Sequence, residues 1–258
     1  MDLTGLDIRE RGAIVTGGGS GLGAATARAL AERGAKVALL DVNLEGATAV
    51  AAETGGLAIA CDVSDAATAE AAVAEASAAH GSPAVLVNCA GIAPAKRIVG
   101  RDGPMDLADF KKVIDVNLVG TFNMIRLGGA AMGGNTPDGE GQRGVIVSTA
   151  SVAAFEGQIG QAAYSASKGG VHSLTLVAAR EFARTGIRVC AVAPGIFGTP
   201  MLLGMPQEVQ DSLAAQVPFP PRLGKPEEFA RMVLSIIDNP MLNGETIRLD
   251  GAIRMGAK

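Results

Sequence analysis

Short apolar runs alternate along this chain with longer segments in which Ala, Val and Leu recur at helical spacing, and the alternation repeats from one end to the other. Ala13 to Thr16, Val37 to Leu40, Leu57 to Cys61, Val85 to Asn88, Gly144 to Val147, Ile187 to Ala193 and Thr246 to Leu249 read as buried strands. Between them the pattern predicts a helix from the glycine turn at Gly17–Gly23 to Gly34, then helices over Leu44 to Glu53, Ala66 to Ala79 and Leu107 to Met132. A further helix carries Tyr164 and ends near Gly186. A helical stretch covers roughly Met205 to Gln216, and the last helix runs from Pro226 to Asp238. Strand, glycine turn, helix and strand within about 30 residues form a βαβ unit, which requires parallel pairing and a right-handed crossover. Seven strands alternating with helices predict one α/β domain over residues 1–258, a three-layer, doubly wound, seven-stranded parallel sheet. The segment after Gly91 and the Gly-rich run GGNTPDGEGQRG read as loops, the second mobile and exposed.

Composition supports a large α/β domain and excludes several other classes. Hydrophobic residues make up 48% of the 258, with 35 Gly, one Tyr and no Trp. Small side chains suit helices lying close on a sheet, and a fibrous or coiled-coil protein would look different. A chain this long buries roughly 70–75% of its unfolded surface. A net charge of −4 gives no basic surface for nucleic acid or anionic lipid, so neither partner is expected. No run reaches the length of a membrane span, and the polar opening MDLTGLDIRERG has no apolar signal core. Cys61, Cys89 and Cys190 lie far apart, with no metal-ligand spacing, and read as reduced thiols. A cytoplasmic location is expected, with no metal.

The turn TGGGSGLG gives these elements a chemistry. Its glycines let the backbone approach a pyrophosphate, and the helix beginning near Gly21 offers unpaired amides and a positive dipole end. The turn follows a strand, opens a helix, and is followed by Asp41 at the end of the next strand, the context of a Rossmann-type dinucleotide site. Asp41 is expected to accept hydrogen bonds from ribose hydroxyls and to repel a 2′-phosphate, while Ser20 stands where a phosphate-binding cation would have been. NAD is therefore expected over NADP.

Tyr164 and Lys168, spaced i and i+4, share a helix face about 40° apart. A phenol titrates near ~10, and an ammonium held within a few ångströms would lower it enough to make a general base. Ser151 follows the strand Gly144 to Val147 and falls at the carboxyl edge of the sheet, where open α/β folds bind ligands. His80 and His172 have no partners at ligand spacing and read as solvated or packed. Asp106 and Asp109 read as a helix start. Arg222 and Lys225 read as a solvated turn, and Met201 and Met205 as adaptable apolar side chains.

In order and spacing, TGGGSGLG, NCAG at Asn88 to Gly91, Asn117, Ser151 and YSASK at Tyr164 to Lys168 resemble the short-chain dehydrogenase/reductase family over essentially the whole chain. NCAG replaces the usual NNAG, and DGA at Asp250 replaces DGG. The resemblance implies strand order 3-2-1-4-5-6-7 and a catalytic tetrad of Asn117, Ser151, Tyr164 and Lys168. It implies cofactor contacts at Gly17, Ser20, Gly21, Leu22, Gly23, Asp41, Asp62, Val63, Cys89, Ala90, Gly91, Tyr164, Lys168, Pro194, Gly195, Phe197 and Thr199. The stretches GQRGVIVSTASVAAFEGQIGQAAYSASKGG and NGETIRLDGAIRM are similar to the hydroxyacyl-CoA dehydrogenase branch of that family. That likeness implies a small-molecule substrate, (3S)-3-hydroxyacyl-CoA, and a homotetramer. With such a substrate Arg222 and Lys225 become candidates to meet a CoA phosphate, and Met201 and Met205 to line an adaptable acyl pocket. The alternatives it leaves are a 3-oxoacyl-carrier-protein reductase or a broad alcohol or hydroxysteroid dehydrogenase.

Overall fold

The computed structural model describes residues 5–257. The side chain of Met201, and with it that residue's place in an acyl pocket, lies outside the described residues, as do the first four positions of the polar opening stretch.

Seven strands form one parallel sheet: β1 (Gly12–Thr16), β2 (Lys36–Asp41), β3 (Leu57–Ala60), β4 (Pro83–Asn88), β5 (Gly144–Thr149), β6 (Ile187–Pro194) and β7 (Thr246–Leu249). Their order is β3-β2-β1-β4-β5-β6-β7, so the winding reverses between β1 and β4. Helices α1 (Gly21–Glu32), α2 (Leu44–Thr54), α3 (Ala66–His80), α4 (Leu107–Ile114), α5 (Gly120–Met132), α6 (Ala162–Phe182), α7 (Pro200–Leu203), α8 (Gln207–Ala214) and α9 (Pro226–Asp238) connect or flank them.

The strands are apolar at successive positions because both faces are covered. Ala13, Val15, Val85, Val87, Val145 and Val147 point into a core shared with α1 and α9. Ile14, Leu86 and Ile146, between them in sequence, point into the opposite core with α3 and α5. Fully burying one such aliphatic side chain contributes about 1.5–3 kcal/mol. The in-register pairs Val85–Val145, Leu86–Ile146 and Val87–Val147 fix β4 against β5, and so fix which residues emerge at the carboxyl edge.

Three expectations change in detail. The helix read as continuous from Leu107 to Met132 contains a π-helical turn, Asp115–Val119, between α4 and α5. The extra residue goes with a tertiary commitment: Asn117 turns inward to bond Ile92, and Gly120 packs so closely on Val63 that a Cβ would lie 2.5 Å from its Cγ2. The stretch Met205 to Gln216 narrows to α8, Gln207–Ala214, and a separate short helix, α7, precedes it; each has a proline at its start. The loop before β5 is exposed at its tip but tied down. Asp138 accepts from the Glu140 and Gln142 amides at 2.9 and 2.8 Å, and Gln142 is buried. The segment after Gly91 also includes a short hairpin pairing Val99–Gly100 with Gly103–Pro104.

Candidate active site

The carboxyl ends of the strands and the start of α1 build the site. Gly17, just beyond β1, has φ +63°, and a Cβ there would lie 2.8 Å from the Ala90 nitrogen. At Gly23 a Cβ would lie 2.1 Å from the Gly17 carbonyl oxygen. Any side chain at either point would push the turn away from α1 or β4. Ser20 occupies the N-cap of α1, but its side chain makes no capping bond. The first-turn amides of Gly21, Leu22 and Gly23 are therefore left for an anion. The amides of Cys89 and Ala90 both donate to the Thr16 hydroxyl at 3.2 Å, locking β1 to β4 where the strand order reverses.

Asp41 ends β2 and lies at the cleft edge, its two oxygens accepting from the Gly19 and Asn43 amides at 2.9 Å each. Asn43, and not Asp41, caps α2, accepting from the Gly46 amide. Beyond β3, Asp62 holds the Ser64 amide and hydroxyl at 2.9 and 2.6 Å, and the Val63 carbonyl accepts from Asn123 at 2.9 Å. These groups surround one cleft of about 750 Å3. All the candidate cofactor residues line it, Pro194, Gly195, Phe197 and Thr199 closing the side beyond β6, and Ser151 joins Tyr164 and Lys168 there.

Tyr164 and Lys168 sit one turn apart on α6, with the ammonium 5.8 Å from the phenol ring centroid. Ser151 opens a 3-10 turn, Val152–Ala154, its hydroxyl accepting the Ala153 amide at 3.1 Å. Lys168 is buried and its Nζ donates to the Thr149 carbonyl at 2.6 Å. Burial pulls the ammonium down to about 8, so it stays mostly charged at neutral pH. The expectation that Lys168 lowers the phenol is not met in this geometry. Burial holds Tyr164 above the ordinary phenol value, with the neighbouring Ser151 hydroxyl pulling the other way. The ammonium is committed to Thr149, not to the phenol oxygen. Cys89 is likewise pushed by burial, up to about 11, and stays a thiol.

Asn117 does not line the cleft. It is wholly buried behind Gly91, its amide donating to the Ile92 carbonyl at 2.9 Å and the Ser167 hydroxyl at 3.0 Å. Its Oδ1 accepts the Ile92 amide at 2.8 Å. A Cβ on Gly91 would lie 3.2 Å from this oxygen and 3.6 Å from Lys168 Nζ, so Gly91 leaves room for both side chains beside it.

Thr16 and Thr149, which anchor the strand ends and the lysine, were missed by sequence reasoning. Each is the last residue of its strand, and that position is the signal that could have found them. Gln158, Gln161 and Met255 also line the cleft unpredicted, and Met205 lines it as anticipated. The other candidates lie elsewhere. His172 contacts Thr246 at 3.0 Å and packs edge-on against Phe155, and Arg222 is paired with Glu228 at 2.7 Å. Asp106 caps α4, and Asp109 pairs with Lys96. The three cysteines are unbridged. Among the described residues no three His, Cys, Asp or Glu side chains gather as a metal site, and no helix is long and apolar enough to cross a membrane.

Comparison with known proteins places this geometry. The family pattern described as short chain dehydrogenase matches residues 11–209. The chain belongs to the short-chain dehydrogenase family. Relatives named 3-hydroxyacyl-CoA dehydrogenase type-2 are 54% identical in Homo sapiens, over 94% of this chain and 95% of theirs, and 50% identical in Drosophila melanogaster, over 96% and 99%. A crystal structure titled 3-hydroxyacyl-CoA dehydrogenase type-2 from Mycobacterium avium superposes with a TM-score of 0.91, at 42% identity, covering 96% of this chain and 98% of that one. As a short-chain dehydrogenase the protein is an oxidoreductase, and the family implies a nicotinamide dinucleotide, NAD or NADP. The cleft fits such a group: a turn closed to any Cβ, uncapped helix amides and a carboxylate at the far edge stand in the places where pyrophosphate and ribose need them.

Proposed function

We propose that this enzyme interconverts (3S)-3-hydroxyacyl-CoA and 3-oxoacyl-CoA with NAD. The observation that carries the reading is one cleft holding Asp41 at one end and Ser151, Tyr164 and Lys168 at the other, in a chain at least 50% identical to relatives whose names give the hydroxyacyl-CoA substrate. The α1 amides would hold the pyrophosphate and Asp41 the adenosine ribose. Asp62 and Val63 would flank the adenine, Lys168 would bond the nicotinamide ribose, and Pro194 to Thr199 would lie against the nicotinamide. The cofactor, when bound, supplies the hydride acceptor or donor.

The chain's own residues handle the proton and the charge. Ser151 donates to the substrate oxygen, where negative charge grows in the transition state. Tyr164 gives that oxygen its proton during reduction and removes it during oxidation. A phenol held above its ordinary value is protonated at neutral pH, which favours the reducing direction there. Oxidation is expected to accelerate as pH rises. Asn117 fixes the segment after Gly91 through its bonds to Ile92 and, by family analogy, would hold a water leading from Lys168 to solvent.

The test is NADH oxidation with acetoacetyl-CoA, comparing wild type with Tyr164→Phe. Turnover that falls by at least about 10²-fold in the variant, the usual worth of a positioned acid, supports the reading. NADH binding with no turnover of any thioester overturns the substrate class. A second reading, a general secondary-alcohol dehydrogenase, is kept by a relative named cis-4-hydroxycyclohexanecarboxylate dehydrogenase from Sinomonas cyclohexanicum at 39% identity. A carrier-protein reductase and a hydroxysteroid dehydrogenase remain on the same scaffold. The proposal extends to a cytoplasmic homotetramer, and light scattering that gives a monomer removes the assembly.

A further inference from the structure

One carboxylate outside the catalytic group gathers two segments of chain that meet only at the mouth of the cleft. Glu156 follows the Ser151 turn directly, its own amide bonded to the Val152 carbonyl at 2.9 Å. Its Oε1 and Oε2 receive the Arg248 guanidinium at 2.9 and 3.2 Å. Oε2 also accepts the Met255 amide at 3.0 Å, and Arg254 approaches Oε1 at 3.4 Å. Arg248 reaches on to Asp250 at 2.8 Å and to the Ile253 carbonyl at 3.0 Å. The Ile159 amide closes the other side on the Ala257 carbonyl at 3.0 Å.

The joint is part-buried: the Arg248 and Glu156 side chains are 23% and 22% exposed. The same segment also rests on the loop after β6. Ile253 is buried, and a Cβ on Gly195 would lie 2.9 Å from the Asp250 Cβ and 3.3 Å from Ile253 Cγ2. The clamp holds Met255 where it lines the cleft with Ser151, Gln158 and Tyr164.

We propose that Glu156 is a positioning residue that fixes residues 253–257 against the Ser151 turn, so that Met255 forms a wall of the substrate end of the cleft and limits the acyl group it admits. The inference rests on the hydroxyacyl-CoA reading for its substrate. Glu156 touches neither the Tyr164 and Lys168 pair nor the glycine turn, so its loss is felt in substrate binding and not in cofactor binding or proton transfer. A carboxylate sharing its two oxygens among two guanidinium groups and a backbone amide does so through charge-assisted bonds, which a neutral amide of the same shape does not reproduce.

The test uses Glu156→Gln and Met255→Ala in the full chain. For Glu156→Gln the KM for acetoacetyl-CoA is expected to rise on the order of tenfold, with kcat within about twofold, the pattern of lost ground-state binding. The Kd for NADH, read by fluorescence, is expected to be unchanged. Amide hydrogen exchange without substrate is expected to quicken at Met255 and Ile159. For Met255→Ala, kcat/KM is expected to improve for longer 3-oxoacyl-CoA relative to acetoacetyl-CoA. Unchanged exchange and KM in Glu156→Gln, an equal loss of NADH affinity, or unaltered chain-length preference in Met255→Ala would each overturn the proposal. Failure of the wild type on every thioester would instead overturn the substrate reading, while the exchange experiment still decides the clamp.

Discussion

Lys168 carries its charge where little water reaches it, and this makes it a measurable cost to the fold. Its ammonium titrates near 8, against an ordinary 10.5, because burial disfavours the charged form. Below pH 8 both folded and unfolded chains hold the proton, and the folded chain bears the full penalty. Between 8 and 10.5 the unfolded chain binds a proton that the folded chain does not, so this residue's contribution to stability rises with pH. The gain is on the order of 3 kcal/mol across that window. Urea unfolding of wild type and Lys168→Met at a series of pH values is expected to show the wild type gaining on the variant from pH 8 to 10.5. Titration of Tyr164 and the cysteines is common to both proteins and cancels to first order; parallel curves would remove the assignment. The Tyr164, Lys168 and Ser151 set was legible because helical spacing and the end of a strand determine it. The direction of the Tyr164 shift was not, since it turns on how far the folded cleft buries the phenol, while Lys168 donates to the Thr149 carbonyl nineteen positions away.

Among the elements, α9 has the least obvious support. Its final carbonyls would be orphaned inside the protein, and Arg188 on β6 supplies their donors. The buried guanidinium donates to Ile236, Ile237 and Leu242 carbonyls at 2.8, 3.0 and 2.8 Å, and to the Gln142 side chain at 3.0 Å. Charge at this end of a helix also complements its dipole. Gln142 belongs to the Gly-rich loop before β5, so one side chain ties loop, strand and helix together. Arg188→Met leaves several buried acceptors without donors and is expected to cost about 3 kcal/mol, read as a lower urea midpoint with an unchanged slope. A loss under about 1 kcal/mol would mean that water replaces the guanidinium. These features explain which elements could be read in advance. The strands and α9 are set by local apolar pattern, and their bounds follow from it. The π turn at Asp115–Val119 and the anchored loop depend on Asn117 meeting Ile92 and on Gln142 meeting Arg188, contacts that exist only after the sheet has formed.

Across the whole molecule the cleft straddles the point where the sheet reverses its winding. Asp41, Asp62 and the glycine turn come from the half containing β1 to β3, while Cys89, Ser151, Tyr164 and Pro194 come from the half containing β4 to β7. A dinucleotide lying along it would contact both halves, and by mass action would stabilise the folded chain as a unit. NADH at a hundred times its Kd contributes about 2.7 kcal/mol, which for a domain of this size raises Tm by about 5–8 °C. Under the proposed preference for NAD, discrimination against NADPH would rest on the Asp41 carboxylate. Both its oxygens are engaged by the Gly19 and Asn43 amides, so turning away from a 2′-phosphate would break two bonds. NADPH at the same concentration is therefore expected to raise Tm by less than about 2 °C. Asp41→Ser loses those bonds and lowers the starting Tm, so the comparison is between the two shifts within the variant, and they are expected to converge. Equal shifts already in the wild type would show that the carboxylate yields to the phosphate, and NAD preference would then have to come from elsewhere in the cleft.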